Sequence, residues 1–318
     1  MAMNKVQFQS GLSLSEFLTR YGTEEACAEA LALVRWPTGF ACPRCAQRRC
    51  RVFRRGNQRL YECHACGRQT SLLAHTLLDS TKLPLSKWFL GMYLLTQTKT
   101  NLAALELMRH LGVAYNSAWR MKHKLMQLMA EREADTKLTG LVQVDDAYLG
   151  GERNGGRAGR GSENKTPLVI GVSTDPSGRP MKVVISPLSG FTKTVIAQWA
   201  AQHLAPDCEV YSDGLGCFRA FEESGHAHSV IKTQSRRQAC RVDGASWVST
   251  VLGNVKRAID GCYHAFDFAK YAERYLGEAA WRFNRRFHLD TICTNLIGNL
   301  QLSIPWPEYR LRHQLKAA

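Results

Sequence analysis

Hydrophobic and polar positions divide the chain into a helical front, a helical middle and a strand-rich rear. Ser13-Leu14-Ser15-Glu16 has the order of a capping box, in which the two polar side chains accept each other's backbone N–H, so a short helix is predicted through Arg20. Cys27, Ala30, Leu31 and Val34 recur at helical spacing over residues 24–34, and Trp36-Pro37 stops that helix. Three more helices are expected between Thr81 and Glu133. The first is capped by Ser86 and buries Trp88, Phe89, Met92, Tyr93, Leu94 and Leu95; the second covers residues 102–111, with Gly112 as its left-handed stop; the third covers residues 116–129. A helix, a glycine turn and then a basic helix form a helix-turn-helix pattern, in which residues 116–124, with Arg120, Lys122 and Lys124, would enter a major groove. Plain helical bundles use the same pattern.

Residues 134–140 read as a linker, after which the period changes to that of strands. Leu141–Leu149, residues 166–173 and residues 181–186 are three strands; a helix over residues 192–204 leads to a fourth at residues 208–212. Asp175-Pro176-Ser177-Gly178 has the residue order of a type I turn joining the second and third strands. Between the first two strands, five glycines from 151 to 161 accompany Arg153, Arg157, Arg160 and Lys165. Such a segment builds no core, so it is expected as a basic loop beside the first strand, either a clamp on nucleic acid or an untethered surface loop.

Charge narrows the class. The 318 residues carry 42 Lys and Arg against 27 Asp and Glu, a net charge of +15, which suits a polyanionic partner held through phosphate contacts. No run of about 18 apolar residues spans a membrane and no signal peptide opens the chain, so a cytosolic protein with no membrane partner is expected. In that setting the 11 cysteines are thiols or metal ligands rather than disulfides. Four have ligand spacing: Cys42-Pro43-Arg44-Cys45, seventeen residues, then Cys63-His64-Ala65-Cys66. Two such knuckles predict a zinc ribbon with a structural Zn2+, and Cys50 and His64 lie off the pattern. Between the knuckles, six arginines with Phe53 and Tyr61 interleaved suit phosphate contact.

The chemistry is expected where strands end in acids. Val142-Gln143-Val144-Asp145-Asp146 closes the first strand with two adjacent carboxylates, either eligible, and the fourth strand runs into Asp213-Gly214. Two-metal phosphodiester chemistry requires carboxylates from separate elements to converge on Mg2+ or Mn2+. The order of three strands, a helix and a fourth strand around these acids fits an α/β fold with an RNase H-like mixed sheet flanked by helices. A lone Asp at a strand end is more often a turn former; the pair in this order is what points to a site.

At this point the chain resembles a known family. The stretches Val144-Asp145-Asp146-Ala147-Tyr148-Leu149-Gly150-Gly151, Ser212-Asp213-Gly214, residues 247–256, Gly261-Cys262-Tyr263-His264 and residues 274–287, with the ribbon at 42–66, look like the zinc-ribbon insertion-sequence transposases of the fifteen-ninety-five family, within the DDE group. The resemblance implies that Asp145 and Asp213 are the first two catalytic acids, with Asp146 turned to the opposite face by strand alternation. It implies nicking and strand transfer at the element's terminal inverted repeats, double-stranded DNA of the repeats and of the target as partner, a homo-oligomer on DNA, and a nucleoid-associated place in a bacterial cytoplasm. The family has Glu, Asn or His seven residues before a Lys or Arg; here that register pairs Ser249 with Lys256. Seven residues are about two helical turns, so the two share a face, whereas Asn254 points about 140° away from Ser249. Lys256, Arg257 and His264 are implied phosphate contacts, and Glu278 either reaches the site or pairs with Arg282.

The expected organisation is N-terminal helices at 1–40, a zinc ribbon at 41–75, a helical DNA-binding region at 81–133, the catalytic domain at 141–290 and a C-terminal tail at 291–318, whose end after Ile304-Pro305-Trp306-Pro307, with Arg310, Arg312, His313 and Lys316, is expected to be loose and basic. Because Ser249 is a poor ligand, the alternative to an active transposase is a catalytically impaired copy that binds DNA as a repressor or relic.

Overall fold

Ser13 and Glu16 satisfy each other as the sequence predicts: Glu16 N donates to Ser13 Oγ at 3.2 Å and Ser13 N to Glu16 Oε2 at 3.0 Å, opening α1 (Leu14–Tyr21). In this computed structural model the described residues are 9–56, 58–150, 165–231, 246–263 and 266–313. They form two compact units, one of Met1–Leu128 with Arg285–Ala318 and one of Met129–Asn284.

In the first unit, α2 (Glu24–Arg35) is capped by Thr23 and leads into a three-stranded antiparallel ribbon of β1 (Cys50–Arg55), β2 (Gln58–Cys63) and β3 (Gln69–Ser71). Two adjacent acids of α2 do different work. Glu25 pairs with Arg54 and Arg59 of the ribbon. Glu24 accepts from the N–H groups of Leu85 and Ser86 at 2.7 and 2.9 Å, so it caps α3 (Leu85–Gln97) from a distance. The expected Ser86 cap is therefore not used: the N-cap is Pro84, and a carboxylate 61 residues away supplies the acceptor. α4 (Ala104–Leu111) stops at Gly112, φ 60° and ψ 46°, and α5 (Tyr115–Glu133) follows. A Cβ on Gly91 of α3 would lie 2.6 Å from Met121 Sδ of α5, so glycine permits that close packing.

The end after Pro307, expected to be loose, instead opens with a helix that follows a folded C-terminal segment. Helices α10 (Ile292–Gly298) and α11 (Glu308–Arg312) bury Ile292, Cys293, Leu296, Ile297 and Leu311, and α10 packs on α3. The reason lies in its own pattern, since Ile292, Leu296 and Leu300 repeat every four residues.

The second unit is a five-stranded sheet in the order β6-β5-β4-β7-β8, made of β4 (Leu141–Leu149), β5 (Thr166–Thr174), β6 (Pro180–Pro187), β7 (Glu209–Ser212) and β8 (Ala227–Val230). The first three strands pair antiparallel, and β7 and β8 are parallel to β4. Strand alternation splits the core in two. Val142, Val144, Val169 and Val184 face α6 (Lys193–His203) and α7 (Ala220–Glu223), with Ile196, Trp199 and Phe221. Ala147, Leu149, Leu168, Ile170, Val172 and Val183 face α8 (Ser246–Cys262) and α9 (Phe268–Asn284). This is the RNase H-like mixed sheet flanked by helices that the strand order implies. The expected linker at 134–140 is partly core, because Leu138 is fully buried and bridges to Leu204. At the outer edge, Asn284 accepts from Val183 N at 2.8 Å and donates to Val183 O at 3.0 Å, occupying an edge-strand residue as a further strand would. Among the described residues no helix is long and apolar enough to cross a membrane.

Candidate active site and metal centre

Each ribbon knuckle is a tight turn with the same hydrogen bonds. Ala46 N donates to Cys42 O at 2.9 Å and Gly67 N to Cys63 O at 3.0 Å, with φ of 60° and 66° at the two donors. These turns aim four thiols at one point: Cys42 and Cys66 Sγ are 3.6 Å apart, Cys45 and Cys63 3.5 Å, Cys45 and Cys66 3.5 Å. A tetrahedral Zn2+ with Zn–S of about 2.3 Å places its sulfurs about 3.8 Å from one another, so the cage fits zinc. Burial opposes ionisation of Cys42, but the N–H groups of Arg44 and Cys45 and the neighbouring thiols bring its pKa down to about 6. The four cysteines thus support a structural metal. Cys50 and His64 stay outside the cluster. Tyr61, expected as a phosphate-facing aromatic, is 5% exposed and packs between Phe40 and Trp36. Alternation along β2 turns it to the ribbon's inner face.

The acids meet where the parallel pairing of β4 and β7 ends. The last pair is Gln143 with Tyr211, and two more residues in that register bring Asp145 level with Asp213. Carboxylate oxygens of Asp145, Asp146 and Asp213 all lie within 4.8 Å of one another. Asp146 therefore does not turn away as strand alternation suggested. Alternation sets the direction of Cβ, but the β7 pairing has ended here and the Asp145 carboxylate folds back to accept from Asp146 N at 2.9 Å. Burial, then the charges of Asp213 and Asp146, push Asp145 up to about 7, against the Asp146 N–H and the positive charge of Lys256. Asp213 Oδ1 accepts from Leu215 N at 3.1 Å across Gly214, φ 81°, while Ser212 Oγ accepts from Gly214 N at 3.3 Å. Behind that turn the Ser212 hydroxyl is 2.8 Å from His228 Nε2, and His228 Nδ1 is 3.5 Å from Glu222.

Helix α8 carries Ser249 and Lys256, the pair that the family register singles out. Ser249 and Lys256 are both half-buried and lie two turns apart on one face, and the charge of Lys256 acts on Asp145. Asn254 is exposed, and its Oδ1 accepts from Arg257 Nη2 at 2.6 Å. Glu278 on α9 is 1% exposed, lies outside the acid cluster and faces Arg282 Nη1 at 3.9 Å. Sequence reasoning missed two residues of this neighbourhood. One is Gln143, whose only signal is its place two residues before Asp145; the other is His228, which has none.

The expected DNA contacts fall into three groups. Arg120 is exposed and paired with Glu308 at 3.2 Å. Lys122 is 1% exposed, and Lys124 donates to Leu77 O at 2.9 Å with its pKa lowered by burial. Those two lysines serve the packing of α5, which corrects the expectation that Lys122 and Lys124 contact DNA beside Arg120. Arg153, Arg157 and Arg160, like His264, lie outside the described residues.

Two family-domain matches and one relative bear on this site. Residues 137–284 match the ISXO2-like transposase domain, and residues 22–69 match the transposase zinc-ribbon domain. A protein of Halobacterium salinarum (strain ATCC 700922 / JCM 11081 / NRC-1), described as uncharacterized and in transposable element ISH50, is 26% identical over an alignment of 215 residues that covers 63% of this chain and 69% of the relative. With the ribbon cage and the acid-bearing sheet, this one polypeptide carries both the zinc-ribbon domain and the catalytic domain of the fifteen-ninety-five (IS1595) insertion-sequence transposases.

Proposed function

We propose that this transposase nicks DNA at the inverted repeats of its own insertion sequence and joins the freed ends to target DNA, with Asp145 and Asp213 as the metal-holding acids. The observation that carries the proposal is the convergence of Asp145, Asp146 and Asp213 within 4.8 Å inside a transposase-domain match. The donor set is all carboxylate oxygen, which suits Mg2+ or Mn2+. The crowding that raises Asp145 is the electrostatic counterpart of that fit, since three carboxylates share one place with one nearby lysine. When bound, such a cation supplies charge neutralisation at the phosphate and acidifies a water. The chain's own groups do the rest: the Gly214 turn holds Asp213, β4 holds Asp145, and Lys256 brings positive charge toward the phosphate. Arg120 and the basic residues Arg153, Arg157 and Arg160 hold the DNA backbone. The ribbon metal is zinc and structural, and at least two copies act together to bring two ends into one complex. In hydrolysis a water oxygen bonds to phosphorus as the P–O3′ bond breaks and the 3′ oxygen takes up a proton; the released 3′-OH then bonds to a target phosphorus as that phosphate's own P–O3′ bond breaks, its proton passing to the departing target 3′ oxygen. Nicking and joining of repeat-bearing DNA in Mg2+, abolished by Asp145→Ala, is the expected result. Full strand transfer by Asp145→Ala would sink the assignment.

Ser249 favours a second reading. A short neutral hydroxyl is a weak metal ligand, and a protein that binds the repeats without Mg2+-dependent nicking would be a repressor or relic.

A further inference from the structure

We infer that Gln143 is a positioning residue of the acid site: its side-chain oxygen holds the start of α8, and with it Ser249 and Lys256, in register with Asp145. The inference rests on the transposase reading, because it gives Gln143 a part in that site. The first backbone N–H groups of a helix have no partner within the helix. In α8 those of Trp247 and Val248 converge on Gln143 Oε1 at 2.9 and 3.1 Å. Gln143 is 3% exposed, so bulk water does not take over these bonds if the side chain is removed.

The placement is what gives the cap a second role. Gln143 and Asp145 are two residues apart on β4 and share a face of the strand. Ser249 follows Val248 directly on α8, and Lys256 lies two turns further along the same helix face. A cap drawn from the residues just before α8 would stabilise the helix alone. A cap drawn from β4 also sets where the helix begins relative to the acids. Trp247 adds a second anchor, since its Nε1 donates to Gly178 O at 2.6 Å in the β5–β6 turn. One anchor lies on the strand that carries Asp145 and the other at the far end of the hairpin, so together they limit rotation of the first turn.

The test uses the full-length protein and the variants Gln143→Met and Gln143→Glu. Gln143→Met keeps the volume and loses the acceptor; the carboxylate of Gln143→Glu accepts the same two N–H groups. In amide hydrogen exchange, peptides covering residues 246–256 should exchange at least about tenfold faster in Gln143→Met and near the wild-type rate in Gln143→Glu, with the strands unchanged. In nicking of a supercoiled plasmid with Mn2+, Gln143→Met should lower kcat about a hundredfold with KM for DNA little changed, and Gln143→Glu should restore most of it. Unchanged exchange in α8, or faster exchange with undiminished kcat, overturns the inference. Should Gln143→Met fail to fold, Gln143→Asn, one methylene shorter, is read in the same exchange experiment with the same outcomes. A wild-type protein that does not nick sinks the transposase reading, while the exchange comparison still decides whether Gln143 anchors the helix.

Discussion

His228 Nε2 lies 2.8 Å from the hydroxyl of Ser212, the residue that precedes Asp213. Ser212 is buried and the His228 side chain is 1% exposed, behind the turn that presents the acid, and the same hydroxyl accepts from Gly214 N. Ser212→Ala removes both partners at once. It should cost about 1–2 kcal/mol in urea unfolding and lower nicking through a looser Asp213, while leaving zinc content untouched. Full nicking activity in Ser212→Ala would show that Gly214 and Leu215 hold the turn unaided.

Asp145 makes stability depend on pH with a definite sign. Its folded pKa is raised to about 7, so the folded state keeps a proton that the unfolded state gives up near pH 4. Stability should therefore fall as pH rises from about 4 to about 7 and level off above. Asp145→Asn should flatten that dependence and gain on the order of 2 kcal/mol at pH 8, allowing for partial solvent screening. Mg2+ should raise the wild-type melting temperature at pH 8 and do less for Asp145→Asn. Parallel pH profiles for the two proteins would refute this.

The ribbon offers a separate measurement. One equivalent of zinc per chain is expected by elemental analysis, lost on Cys63→Ser or on strong chelation, with loss of fold in the 22–69 segment. Because the acids sit in the other unit, Mg2+ stabilisation should survive Cys63→Ser. Protein purified with no stoichiometric zinc would remove the ribbon assignment.

Ser249 and Asn254 should separate cleanly. Ser249→Glu introduces a carboxylate in the first turn of α8, where a helix N-terminus favours negative charge, and should strengthen metal-dependent nicking. Asn254→Ala should change nicking little, because that side chain is exposed and committed to Arg257. Loss of nicking in Asn254→Ala would identify it as the third group after all.

Asn284 tests the sheet edge. Its amide makes two bonds to Val183 and donates to Glu133 Oε2 at 2.6 Å, so Asn284→Ala should destabilise the protein by about 2–3 kcal/mol in chemical denaturation. A change under about 0.5 kcal/mol would mean that water replaces the amide along β6.

Local features were legible in the residue order because local chemistry decides them. The Ser13–Glu16 box, the Gly112 stop, the Asp175 turn, the Cys42 to Cys66 spacing and the bounds of β4 all follow from contacts within a few residues or from a two-residue period. Asp145 and Asp213 could be paired because each ends a strand, and the strand order brings the two strands side by side. What the residue order could not decide depended on distant partners. Glu24 displaced Ser86 as the cap of α3 from 61 residues away, and Lys122 and Lys124 went into packing although their composition reads as a basic face. The tail folded because its apolar repeat found α3. Asp146 joined the acids at the point where the β4–β7 pairing has ended. The start of α8 was set by Gln143, 104 residues earlier, because unpaired N–H groups at a buried helix end take whichever acceptor the tertiary fold brings within reach.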